Sequence, residues 1–70
     1  MKGVVKITNL AKMRKAHGLT QAKLSELSGV PRVSIARYET GRVSPSVKIL
    51  ERLAVALGVK MDDLVDRKAG

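Results

Sequence analysis

Arg32, Val33 and Arg37 lie in one short stretch that winds as a helix, and an advance of about 100° per residue gathers them with Ala36 and Thr40 on a single arc. The opposite arc carries Ser34, Ile35, Tyr38 and Glu39, of which Ile35 and Tyr38 suit a core. A guanidinium offers paired donors that match O6 and N7 of guanine in the major groove, and valine methyls complement the thymine methyl. The three are therefore candidate base contacts on double-stranded DNA. The plainer reading of Val33 is an ordinary exposed apolar residue, and of Ala36 that it lets the helix approach closely.

Such an arc reads bases only if a second element holds it in place. Gln21 to Ser28 supplies one, with Leu24 and Leu27 beside small Ser25 and Ser28, which would let another helix cross closely. Gly29 then suits the left-handed turn that ends a helix, and Pro31 suits a first turn, where its missing N–H is no loss. Helix 2 is predicted over about 21–28 and helix 3 over about 32–40. The buried side of this unit is expected to be Leu24, Ser25, Ser28, Gly29, Val30, Ile35 and Tyr38. Two helices joined by a tight turn with glycine form a helix-turn-helix, whose second helix enters the major groove in DNA-binding proteins. Spacing alone leaves it open, because many helical hairpins share it.

Charge narrows the choice. The 70-residue chain has 14 basic and 6 acidic side chains, a net +8, which favours a polyanionic partner. Residues 1–50 hold ten basic and two acidic residues, whereas the last twenty hold four of each. The excess coincides with the candidate reading helix. A membrane-surface role calls for an amphipathic helix with bulky aromatics, and this chain has one Tyr, no Phe and no Trp. Lys12, Lys15 and Lys23 read as general solvated charge.

The remaining elements complete an all-α chain of five helices. Thr8 or Asn9 can cap helix 1, which runs through Met13 and Arg14 to His17 and ends at Gly18. Thr20 caps helix 2. A loop from Thr40 to Pro45 leads to Ser46, which caps helix 4, with Val47, Leu50, Leu53, Ala54 and Leu57 on its core stripe. Gly58 ends that helix. A short fifth helix starts near Met61, with Asp62 and Asp63 set against its dipole and Leu64 returning to the core. Residues 1–8 read as an arm or lead-in, 9–66 as one domain and 67–70 as a frayed tail.

Catalysis finds no footing. There is no Cys, a single His beside Gly18, no glycine-rich phosphate loop, and Asp62-Asp63 are neighbours rather than a catalytic pair. No metal or cofactor is predicted. The absence of Cys fits a reducing compartment, and neither a signal-peptide run nor an 18-residue apolar stretch exists, so a soluble cytoplasmic protein is expected.

In order and spacing, the fragments LAKMRKAHGLTQ, LSELSGV, SIARYETG, PS and LAVALGVKMDDL resemble the Cro and phage-repressor type of helix-turn-helix protein, the XRE family. The resemblance runs from about Leu10 to Val65. It implies a five-helix, lambda-repressor-like bundle that binds operator DNA, often as a dimer, with helix 3 as the recognition helix. It further implies that Gln21, at the start of helix 2, meets the DNA backbone, and that Thr40, Arg42, Ser44 and Lys48 form a second clamp on phosphate. Arg14 and Glu39 resemble the family's ion pair between helices 1 and 3, which would set the pose of the recognition helix. Pro31 departs from the usual capping Ser or Thr. Lys60 stands where Ser commonly caps the last helix, so that end is expected to fray more. Ile49 and Val55 occupy usually polar positions.

Ile49, Val55, Ala56 and Met61 are apolar beyond what the core stripe needs, and they form a candidate dimer interface. A two-fold dimer would set its recognition helices one DNA turn apart, roughly 34 Å, on a near-palindromic site. The competing reading is an antitoxin-like or coactivator-like adaptor whose main partner is another protein. The function expected first is a sequence-specific transcriptional regulator, a repressor.

Overall fold

The computed structural model describes residues 9–65, so the arm expected at 1–8 and the tail expected at 67–70 lie outside the described residues. Five helices follow in order: α1 Leu10–Ala16, α2 Gln21–Ser28, α3 Arg32–Thr40, α4 Val47–Leu57 and α5 Met61–Leu64. Among the described residues all regular structure is helical. The fold is the all-α, five-helix arrangement that the sequence implies.

Local chemistry sets the helix ends. Thr20 Oγ1 accepts from the Lys23 N–H at 3.0 Å and Ser46 Oγ from the Ile49 N–H at 3.2 Å, each satisfying a donor that has no partner inside its helix. Asn9 stands at the start of α1 but does not cap it. Its amide Nδ2 instead donates to the Asp63 carbonyl at 3.2 Å and ties the first helix to the last. At α5 the Lys60 N–H donates to Asp63 Oδ2 at 3.1 Å. An ammonium has no acceptor, so Asp63 supplies alone the half-cap that replaces the expected serine.

The core consists of Leu10, Leu24, Val30, Ile35, Leu53, Ala54, Leu57 and Leu64, with Tyr38 and Leu50 packed partly against it. Each helix contributes at least one member. α2 is the hub, packing on both α3 and α4, while α1 meets α3 and α5 meets α4.

Three expectations about burial are corrected. Leu27 is 53% exposed, because it lies about 60° around α2 from Leu24, at the edge of the buried face. Val47 is 71% exposed, because it lies about 70° from the centre of the stripe formed by Leu50, Leu53, Ala54 and Leu57. Gly29 lies at the surface of the turn rather than in its packed side.

Candidate nucleic-acid interface

The turn between α2 and α3 is built from one hydroxyl, one glycine and one buried valine. Ser28 Oγ donates to the Leu24 carbonyl at 2.7 Å and accepts from the Val30 N–H at 3.1 Å. Gly29 adopts φ 78°, the left-handed conformation that releases the chain from α2, and its N–H donates to the Ser25 carbonyl at 2.8 Å. Val30, 1% exposed, then anchors the turn in the core, and Pro31 at φ −56° leads into α3. The angle between the two helices is therefore fixed by covalent geometry, hydrogen bonds and packing together.

A second fixture sits beneath α3. Arg14 Nε donates to Glu39 Oε2 at 2.7 Å and Nη2 to Oε1 at 3.2 Å, a bidentate pair whose side chains are only 10% and 8% exposed. The third arginine nitrogen, Nη1, donates to the Leu19 carbonyl at 2.8 Å, in the turn before α2. Gln21 Nε2 completes the cluster with a bond to Glu39 Oε1 at 2.9 Å. One carboxylate thus links α1, the first residue of α2, and α3. Sequence reasoning missed the Leu19 and Gln21 bonds, since neither partner's type or spacing distinguishes it.

The electrostatics follow from this geometry. Burial pushes the Glu39 carboxyl up, but hydrogen bonds from Arg14 and Gln21, with the charges of Arg14 and Lys15, outweigh it and hold the group below its ordinary value. The hydrogen bond that Arg14 donates to the Glu39 carboxylate raises Arg14 above its ordinary value despite the desolvation that opposes it. Both groups are charged at neutral pH.

Above this fixture the arc of Arg32, Val33 and Arg37 is open. Arg32 and Arg37 are exposed and Val33 is 62% exposed. Among the described residues neither guanidinium has a hydrogen-bond or ion-pair partner. Ala36 lies half-buried between them and keeps that part of the surface low.

The residues expected on the DNA backbone divide by their present engagements. Arg42 and Lys48 are exposed, in and after the loop that follows α3. Thr40 Oγ1 donates its proton to the Arg37 carbonyl at 2.9 Å, and its hydroxyl must rotate before it can donate to a phosphate. Ser44 is exposed and already engaged within the protein. Gln21 has its side chain turned to Glu39, which leaves the opening of α2 to present backbone N–H groups. Lys23 is paired on the surface with Glu26 at 3.0 Å.

The expected apolar patch does not form one exposed surface. Ile49, Ala56 and Met61 pack partly against the core, and Val55, 75% exposed, is the member left fully outside. Ile49, Val55 and Ala56 lie off the main stripe of α4 and Met61 opens α5, but α4 packs between α2 and α5 and so buries part of its flanks as well. His17 closes α1, its Nδ1 donating to the Met13 carbonyl at 2.9 Å. No group of three or more metal-binding side chains forms among the described residues, and no helix of theirs is long and apolar enough to cross a membrane.

Residues 10–64 match the model of the helix-turn-helix family. The chain belongs to that family. It is 47% identical over 51 residues to an uncharacterised HTH-type transcriptional regulator of Methanothermobacter thermautotrophicus, covering 73% of this chain and 74% of that protein. It is 37% identical over 60 residues to the cryptic phage CTXphi transcriptional repressor RstR of Vibrio cholerae, covering 86% of this chain and 54% of RstR. It is 33% identical over 57 residues to the antitoxin PezA of Streptococcus pneumoniae, covering 81% of this chain but 36% of PezA. The chain thus spans only part of these last two relatives. Among solved structures, the restriction-modification controller protein C.AhdI of Aeromonas hydrophila superposes with a TM-score of 0.78 at 33% identity, over 81% of this chain and 86% of that one. The family is one of DNA-binding transcription regulators and not of enzymes.

Proposed function

We propose that this helix-turn-helix protein is a sequence-specific repressor that binds a near-palindromic site on double-stranded DNA as a homodimer. The observation that carries the reading is the free Arg32–Val33–Arg37 arc, held rigidly over the Arg14–Glu39–Gln21 cluster. Arg32 and Arg37 donate to guanine edges and Val33 meets a thymine methyl. Arg42 and Lys48 bind phosphate as the protein stands, Thr40 and Ser44 do so after exchanging their present bonds, and Gln21 contributes from the opening of α2. Repression follows from occupancy: a protein of this size on an operator blocks access without any further activity.

Selection from a random duplex library tests the reading. Enrichment of a two-fold symmetric site, with binding that falls steeply as salt rises, is expected. Equal binding of selected and random duplexes at every salt concentration would overturn it.

The match to an antitoxin supports a second reading, in which a protein partner is the main target. That reading expects a stable protein complex that survives Arg32→Ala and Arg37→Ala. Loss of the complex in either variant counts against it.

A further inference from the structure

Between the C-terminal half of α2 and the outer side of α4 lies an open groove of about 320 Å³, lined by Leu27, Ser28, Glu51, Arg52, Val55 and Ala56. Its walls include two of the five large apolar side chains exposed among the described residues, Leu27 at 53% and Val55 at 75%. Glu51 precedes Val55 by one helical turn and Arg52 precedes Ala56 by one turn, so an acid and a base stand side by side along the groove. Neither charged group has a hydrogen-bond or ion-pair partner among the described residues.

We propose that this groove joins two copies of the chain about a two-fold axis, with each copy's Glu51 set against Arg52 of the other. The proposal rests on the dimer reading above and gives it a different surface from the one the sequence suggested.

Charge decides the occupant. A two-fold contact brings one patch against itself, so it must be self-complementary, and an adjacent acid and base meet that condition. A uniformly acidic or basic partner would match one of the two and oppose the other. The rest of the molecule points the same way. The +8 excess lies in residues 1–50, whereas the residues that line the groove carry one acid and one base and are balanced. Two copies can approach through this face without the repulsion that their basic faces would generate.

Area sets the strength. A stable interface buries about 800 Å² per partner, far more than two partly exposed aliphatic side chains provide. The contact is therefore weak between free molecules and acts when two copies occupy one site, where their effective concentration reaches the millimolar range.

Glu51→Arg, Arg52→Glu and the double exchange Glu51→Arg/Arg52→Glu test this, measured on a selected full-site duplex and on its half-site. Both positions of change lie on the surface, and thermal melting checks that each variant folds as the wild type does. Wild type is expected to bind the full site cooperatively. Each single variant is expected to lose at least about tenfold in full-site affinity relative to its own half-site affinity, and the double exchange to restore it. Cooperative wild-type binding that both single variants retain would overturn the groove and leave the dimer reading standing. Non-cooperative wild-type binding would overturn both. A heterologous complex lost on Leu27→Asp, with wild type monomeric on DNA, would assign the groove to another protein and also overturn the proposal.

Discussion

Glu39 holds α1, the start of α2 and α3 together at one carboxylate, and its neighbours explain how. Its carboxylate is 8% exposed and receives Arg14 twice and Gln21 once. Removing it by Glu39→Ala leaves the Arg14 guanidinium buried with only the Leu19 carbonyl, and a loss of about 3 kcal/mol or more is expected in denaturant unfolding. An unchanged midpoint would show that the pair holds nothing. Arg14→Lys is also expected to destabilise, since one ammonium cannot reproduce three diverging bonds. The pH dependence has a definite sign. Because the folded carboxyl is held below its ordinary value, its contribution is complete above the unfolded value of about 4.3 and is lost as pH falls through the folded one. Glu39→Gln is expected to flatten the acid limb of the stability profile, as read by urea midpoints across that range. On the open arc, Arg37→Ala is expected to cost about 1–3 kcal/mol at a guanine-containing site and to relax preference there, whereas Lys48→Ala weakens all sequences alike. Competition binding with single-base variants of the site separates the two; equal preference in Arg37→Ala and wild type would remove Arg37 from base reading.

At the scale of elements, the α2–turn–α3 unit is where local rules and tertiary need agree. Gly29 sits at φ 78°, and a Cβ placed there would come no nearer than 3.9 Å to any neighbour, the closest being Arg52 Nη1. The cost of Gly29→Ala is therefore conformational rather than steric, about 1–2 kcal/mol. A calorimetric loss well above that range would mean that the turn resists change for a reason other than backbone handedness. The caps at Thr20 and Ser46, the stop at Gly58 and the core faces of α3 and α4 were legible in the sequence, because each depends on residues a few positions apart. The exposure of Leu27 and Val47 was not, since periodicity gives the direction of a buried face but not how far neighbouring helices extend over it. Asn9 was misleading for a related reason. It has a common local role at a helix start and instead reaches a partner distant in sequence, Asp63, and the bond from Gln21 to Glu39 is equally distant. No spacing rule within one helix encodes such a bond.

The whole molecule separates charge by region, and that separation makes the mode of DNA attraction measurable. If the +8 excess acted as a diffuse cloud, any lysine would contribute equally to binding. If instead the basic residues around α3 sit on phosphates, each releases condensed counterions where it binds, and the logarithm of affinity falls with the logarithm of salt at a slope of about 0.9 per phosphate neutralised. Arg42 and Lys48 lie in and after the loop that follows α3, whereas Lys60 stands at the start of α5, among the charge-balanced last twenty residues. Arg42→Ala and Lys48→Ala are each expected to lower the slope by about 1, and Lys60→Ala to leave it unchanged. The three variants remove the same formal charge from exposed positions, so a difference among them reports location alone. Identical slopes would mean that the protein is drawn to DNA by its net charge, and the orientation of α3 in the groove would then have to come from the Arg32–Val33–Arg37 arc without help from the clamp.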